Sequence, residues 1–411
     1  MANIQVTPSG PQQEPSIALN SLDQSTVIVT TNDLRSGNNM TTVYRSINGG
    51  ASYTQMLLSP PVGFAASGDG VADYGYPNVF LVSATALNVN PVRDSSIIVY
   101  RSTDNGASFS SPIIVNQGYG TAVYNDKPSI RIDTANGSPY LGQAYIAFTR
   151  YFNGFTSSET MIQRSLDQGV TWSAPVLLTN QVQSVSNFGA SVAIGPAGEV
   201  YAGWMQYGPG TPQFLIRRSD DGGVTYGPIV SISNVSLVVT PLPVPNFGFR
   251  VLTIAYLAVD ISPFNGEGIV YAVWQDNRTG SAHIFMSRST NKGVSWSTPI
   301  QVDDSPAGTQ NFLPNLTVSR DNGGVKVMYY TNRVSSSLLD VFLAESNDAG
   351  SSFLPNRRVT SVSFDPNADP SLGTPTPSIG DYNDLVVNAA GVPIIVWMDT
   401  RTGSQNIFED L

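Results

Sequence analysis

The sequence predicts an all-β fold, a closed ring of four-stranded antiparallel blades, from three observations. The first is composition. Only 12% of the 411 residues are charged, against about 25% in ordinary soluble domains. Helix-favouring Glu and Lys are sparse, and Ser, Thr, Asn, Gly and Val, which favour turns and strands, take their place. The second is repetition, tested because a chain this long does not fold around one packed core. The third is that every repeat carries the same strand pattern.

The pattern Ser-x-[Asp/Asn]-x-Gly-x-[Ser/Thr]-[Phe/Tyr/Trp] occurs six times without a mismatch, at 46–53, 102–109, 165–172, 219–226, 289–296 and 346–353. Successive copies start 56, 63, 54, 70 and 57 residues apart. The fixed positions suit a tight loop between strands. The Asp or Asn accepts bonds from the turn's own amides, and Gly takes positive φ without steric penalty.

An apolar strand precedes each copy (TTVYR, SIIVYR, TMIQR, FLIRR, IFMSR, VFLAE), a short one mostly follows, and two more lie upstream. That makes four strands per repeat, the content of a propeller blade. A seventh unit, 377–408, parallels 271–285 but ends after three strands and has no such turn. The missing strand is expected at the other end of the chain, where Asn3–Thr7 (NIQVT) matches the PIQV segment at 299–302. Pairing the first strand with the last blade would remove two sheet edges. The expected architecture is a single domain, 1–411, folded as a seven-bladed β-propeller closed by its N-terminal strand, with six blades as the alternative.

Other properties exclude function classes. Without cysteine there is no disulfide, thiolate metal site or cysteine nucleophile. With His283 the only histidine, a multi-histidine metal site is impossible. A formal charge of −10 argues against nucleic acid and anionic membranes as partners. No stretch approaches the roughly 20 apolar residues of a membrane span. The opening residues, MANIQVTPSG, lack the basic and apolar regions of a secretory signal. Low charge without cysteine nevertheless suits work outside a cell or on its surface.

The six turns carry the residue pattern of the Asp-box, or bacterial neuraminidase repeat, and over essentially its whole length the chain resembles the sialidase-like β-propellers. The resemblance implies that each box links the third and fourth strands of a blade, away from the ligand face, as a structural element. It also implies an extracellular glycan as ligand, bound or hydrolysed in the manner of an exo-sialidase. Sialidases carry a tyrosine nucleophile at the start of the last blade, in a setting similar to Tyr382-Asn-Asp-Leu385. They also carry an early Phe/Tyr-Arg-Ile-Pro motif, whose arginine helps hold the substrate carboxylate. Here the corresponding segment is QQEPSIAL, so that anchor is missing.

On the functional face, the loops between second and third strands place arginines at 35, 150, 278, 333 and 401, three of them in Asp-x-Arg. They are either a ring of ligand contacts, since Arg binds carboxylates bidentately, or braces pinned by Asp within each loop. Blade entrances place Glu14, Asp126, Lys127, Asp381 and Tyr382 near the central opening. Tyr382, Glu14 and Asp381 are the catalytic candidates, and Lys127 joins the five arginines as a ligand-binding candidate. A tyrosine nucleophile needs a carboxylate to take its proton, and Glu14 and Glu159 are the glutamates positioned to do so. Asp33 and Asp126 are further acid–base candidates by face alone.

Three other segments stand out. The connection 233–257 is long and apolar, either a contact patch for protein partners or self-association through 237–249, or a loop packed across blades. The loop 362–378 could hold a structural calcium through Asp365 and Asp369 but lacks EF-hand spacing, so a solvated turn is expected and no cofactor. Tyr151, Phe152 and Phe155 offer rings for stacking on sugars or for packing beneath their own loop. Three function classes remain: a glycan-binding propeller, a divergent exo-glycosidase, and a structural or adhesive module.

Overall fold

The computed structural model describes residues 3–88, 94–152, 154–179, 185–208, 210–245, 247–264, 266–370 and 378–411. They form seven sheets of four antiparallel strands, with no α-helix among the described residues. The fold is a seven-bladed β-propeller. Six blades follow one another along the chain. The seventh comprises Asp384–Val387, Pro393–Asp399, Asn406–Asp410 and the N-terminal strand Ile4–Gln5. Ile4 lies opposite Glu409 and Gln5 opposite Phe408. The chain's two ends therefore close the ring.

Hydrophobic strands face one another between blades, so the core is a circle of layers. One cluster joins Tyr145 and Ile162 of blade 3 to Val192 and Trp204 of blade 4, and another joins Phe214 and Ile216 of blade 4 to Leu257 and Trp274 of blade 5. At the axis each inner strand has a free edge whose amides need partners. Inner-strand side chains supply them from the neighbouring blade. Ser16 Oγ accepts from Ala72 N (3.2 Å), Asp73 Oδ2 from Ile132 N (2.6 Å), Ser129 Oγ from Val192 N (3.3 Å), Ser191 Oγ from Leu257 N (3.0 Å) and Asp384 Oδ2 from Ile17 N (3.1 Å).

The six repeated turns share one hydrogen-bond pattern. In the third, Ser165 Oγ donates to Asp167 Oδ1 (2.7 Å) and accepts from Gly169 N (2.8 Å), while Asp167 Oδ1 also accepts from Thr171 N (2.8 Å). Asn48 and Asn291 make the equivalent bonds in the first and fifth. The residue before the serine is Arg in five turns, and each arginine donates to a turn carbonyl of the next blade. Arg45 reaches Asn105 O (2.9 Å), Arg101 Gln168 O (2.8 Å), Arg164 Gly222 O (3.0 Å), Arg218 Lys292 O (2.5 Å) and Arg288 Ala349 O. The sixth turn, facing the blade that has no such turn, has Glu345 there, bonded to Lys326. This belt ties the face of the repeated turns together.

The 233–257 connection leaves blade 4 and crosses to blades 6 and 7. Val238, Leu242, Phe247 and Phe249 are buried with Phe312, Leu313, Leu339 and Ile379, and Val244 packs against them half-buried. Phe247 and Phe249 rings lie 5.3 Å apart, and Phe249 is 6.0 Å from Phe312. Most of the apolar side chains that suggested a protein-contact patch at 237–249 are thus consumed internally, leaving Leu237 and Val239 exposed.

Candidate functional site

Each of five inner strands is interrupted by a β-bulge near its upper end, at Gln13/Ser16, Gly68/Val71, Asp126/Ser129, Phe188/Ser191 and Phe312/Asn315. Within each bulge one residue is left-handed: Glu14 (φ 55°), Asp69 (φ 55°), Lys127 (φ 47°), Gly189 (φ 66°) and Leu313 (φ 48°). A bulge re-aims a side chain out of the pleat. In three consecutive blades that side chain is charged, and the three meet on the axis.

Lys127 Nζ is the hub. It contacts Glu14 Oε1 at 3.1 Å, Asp69 Oδ1 at 2.8 Å and Asp381 Oδ2 at 2.9 Å. Arg250, carried in by the crossing connection, binds Asp381 through two bonds of 3.2 and 2.7 Å. Glu14 is further held by Asp381 N (3.0 Å) and Asn32 Nδ2 (2.5 Å), and Asp69 accepts from Thr85 Oγ1 (3.2 Å). Tyr382 lies beside the hub, its ring centroid 5.3 Å from Lys127 Nζ.

The carboxyls are driven apart in acidity. Burial pushes Glu14 well above the ordinary range against the opposing pull of Lys127. Asp69, also buried, is nevertheless lowered by Lys127 and by hydrogen bonds, one of them from Glu14. Burial and the neighbouring Asp69 raise Asp126 to about 6. Lys127 is held well above its ordinary value because the attraction of Asp381, Asp69 and Glu14 outweighs desolvation.

The axis thus brings together Glu14, Lys127, Asp126, Asp381 and Tyr382. It does not set Tyr382 up as a nucleophile. Its buried hydroxyl has no hydrogen-bond partner, and burial with the charges of Glu14 and Asp69 pushes its pKa well up. Glu159 stands apart, in the third strand of blade 3 opposite Arg150.

The five arginines do not meet at this hub. Arg35, Arg278 and Arg401 each grip the Asp two residues earlier at 2.5 Å. Four also reach the preceding blade's outer strand or the connection after it: Arg150 to Asn116 Oδ1 (2.7 Å), Arg278 to Asn234 O (2.9 Å), Arg401 to Ser361 Oγ (3.0 Å) and Arg333 to Asp304. Among the described residues no two of the five share a partner. Four of the five thus tie neighbouring blades together, and Arg35 stays within blade 1 on Asp33 and Tyr44.

Asp369 accepts from Gln405 N (2.6 Å), Asp365 caps its own turn, and residues 371–377 of the loop lie outside the described residues. Among the described residues no group of three or more His, Asp or Glu could hold a metal ion. Phe155 packs on Tyr124 (5.0 Å) and Tyr151 (5.5 Å). His283 is buried between Ser281 Oγ (3.0 Å) and Asp303 Oδ1 (2.9 Å), a fixed link between strands.

Two members of the hub escaped the sequence reading. Asp69 was legible in principle, because Gly68-Asp69-Gly70 occupies the inner-strand position of Gln13-Glu14-Pro15 and Asp126-Lys127-Pro128. It lacks the Pro-Ser that flagged the others. Arg250 left no local signal, since only the path of the crossing connection brings it to Asp381.

No protein-family model matches the chain, and no curated protein matches it by sequence. Solved structures do resemble it. The α-L-arabinofuranosidase Arb93A of Fusarium graminearum superposes with a TM-score of 0.53 at 13% identity, over 100% of this chain and 97% of that one. The Hadza microbial sialidase Hz136 gives 0.52 at 13% identity, over 90% of this chain and 73% of that one. The NanB sialidase of Streptococcus pneumoniae gives 0.52 at 10% identity, over 94% and 83%. At such identities the likeness establishes the propeller fold.

Proposed function

We propose that the protein is a carbohydrate-recognition propeller, working outside the cell, whose ligand docks at the axial mouth around Asp126, Lys127, Arg250 and Tyr382. The observation that carries this reading is the convergence of left-handed bulge residues on one lysine. Residues held in sparsely populated backbone regions cost on the order of 1–3 kcal/mol each and cluster at functional sites. Here three of them, Glu14, Asp69 and Lys127, present charge to the same point. The glycosidases among its structural neighbours support a glycan as ligand. The arginines engaged as braces speak against a carboxylate-bearing sugar and for a neutral one.

Binding is preferred to hydrolysis because Glu14, Asp69 and Asp381 are all held by Lys127, at 3.1, 2.8 and 2.9 Å. Carboxylates committed to one buried ion cluster are not free to act as the acid and the base or nucleophile that glycoside hydrolysis uses. One observation favours the hydrolytic alternative: Asp126, raised to about 6, has the acidity of a general acid. A glycan array followed by calorimetry on Arg250→Ala tests the binding reading. Retention of neutral glycans by the wild type and weakening at least fivefold in the variant are expected. An array without binders overturns it, and turnover of an aryl glycoside that vanishes in Asp126→Asn would replace it with hydrolysis.

A further inference from the structure

The axial channel has a second end. Arg131, on the inner strand of blade 3, borders the cavity beneath the hub and also a larger one that opens on the face of the repeated turns. Arg131 and Asp384 line both of these chambers, about 60 Å³ above and about 270 Å³ below. We propose that the lower chamber is a separate binding site for a neutral monosaccharide-sized polyol, independent of the upper mouth.

The donors and acceptors support that assignment. The one side-chain hydrogen bond of Arg131 among the described residues runs to Ile130 O at 2.9 Å. Asp73 and Asp384 feel its charge but form no ion pair with it within 4.0 Å. Asp73 Oδ2 is taken by Ile132 N, and Asp384 by Ser16 Oγ (2.8 Å), Ile17 N (3.1 Å), Asn315 Nδ2 (3.1 Å) and Leu385 N (2.9 Å). The guanidinium therefore keeps donors for a guest in the chamber. At the rim stand Gln24, Arg320 and Asp321.

Charge selects the class of guest. Two arginines face three aspartates, so an anion gains no net attraction, whereas hydroxyls that both donate and accept suit mixed partners. Ile132, Ile194, Val259 and Leu316 give the chamber an apolar wall against which the C–H face of a sugar ring packs. The volume lies just below the roughly 300–1,000 Å³ of drug-sized pockets, so one ring fits and a chain does not.

Saturation-transfer NMR on the full chain with D-glucose, D-galactose, L-arabinose and, as the anionic comparator, N-acetylneuraminate decides the matter. At least one neutral sugar should give a signal that persists in Arg250→Ala and falls at least fivefold in Arg131→Met. Arg320→Ala, at the exposed rim, should weaken it too, and keeps the test valid should Arg131→Met fail to fold. A signal unchanged by both lower-chamber variants overturns the proposal, as does one confined to N-acetylneuraminate or none at all. Loss in Arg250→Ala alone would assign the sugar to the upper mouth, which supports the proposed function and refutes the second site.

Discussion

The hydroxyl of Tyr53, the aromatic residue closing the first repeated turn, donates to Glu409 Oε2 at 2.6 Å, joining blade 1 to the last strand of blade 7. The second oxygen, Oε1, is buried without a partner. Burial is what raises this carboxyl to about 8, so it is neutral at pH 7. In an unfolded chain a glutamate has a pKa of about 4.3. The folded value is raised, so the contribution to stability is complete below the unfolded value and is lost as pH climbs through about 8. Glu409→Gln keeps the shape and the acceptor for Tyr53 but cannot ionise. Thermal melts should show the variant matching the wild type near pH 4 and exceeding it by several degrees at pH 9. Parallel curves at both pH values would refute this account of the closure.

Lys127 is required by three carboxylates at once, and its side chain is nearly buried. Removing one partner of a buried ion pair leaves uncompensated charge and typically costs about 3–5 kcal/mol. Lys127→Met should therefore lose stability of that order at pH 7, read by urea denaturation. The deficit should shrink as acid protonates Glu14 and Asp69. Adding Asp381→Asn should recover part of it, because the two positions are coupled.

If the upper mouth is the ligand site, its pH response belongs to Asp126. This carboxyl is raised to about 6 chiefly by burial and secondly by Asp69. Affinity for a bound glycan should change across pH 5 to 7 with a midpoint near 6, and Asp126→Asn should flatten that profile. Calorimetry at half-unit pH intervals measures it. A profile unaltered by the substitution would remove Asp126 from the site.

The fold was legible because its signals are local and repeated. A turn such as Ser165-Leu-Asp167-Gln-Gly169 satisfies itself, so its eight residues announce it wherever they occur. The closing strand was legible for a similar reason: NIQVT matched a fourth strand that the last unit lacked. The site was legible only in part. Glu14 and Lys127 stand where the Pro-Ser pattern marks a blade entrance, and sequence places them on one face. What makes them one site is the left-handed bulge, which turns them onto the axis, and the crossing connection that delivers Arg250. Both are tertiary features without a sequence period. The arginine repeat left two readings open, ligand contacts or braces; four of the five bond to the preceding blade, and a contact needed between neighbouring blades recurs where a single ligand site need not.

The acidic limb of stability should come from the repeated turns. Burial opposes ionisation, but the hydrogen bonds from the turns' own hydroxyls and amides together outweigh it and lower Asp104, Asp167 and Asp221 to about 2. Their folded values are depressed, so the stability they contribute is present above about pH 4 and is lost as pH falls toward 2. Asn48 and Asn291 already make the same amide contacts without a charge. The triple variant Asp104→Asn, Asp167→Asn, Asp221→Asn should thus fold at pH 7 and show a shallower fall in melting temperature between pH 4 and 2. An unchanged acid limb would place its origin elsewhere in the ring.

The belt of arginines beneath the blades gives the remaining prediction. Arg101 Nε donates to Gln168 O of the next blade at 2.8 Å, and Gln168 is itself left-handed at φ 55°. The arginine thus holds a strained turn as well as an interface. A hydrogen bond involving a charged group is worth about 1.5–3 kcal/mol, and Arg101→Ala should lose about that much in chemical denaturation. Arg101→Lys should recover little, since a lysine cannot reproduce the directed Nε–H of the guanidinium. Glu345 occupies the same position where the neighbouring blade has no repeated turn, and bonds Lys326 within its own blade. Glu345→Ala should therefore cost less than Arg101→Ala. Equal losses at the two positions would show that the inter-blade bond adds nothing beyond the side chain's packing.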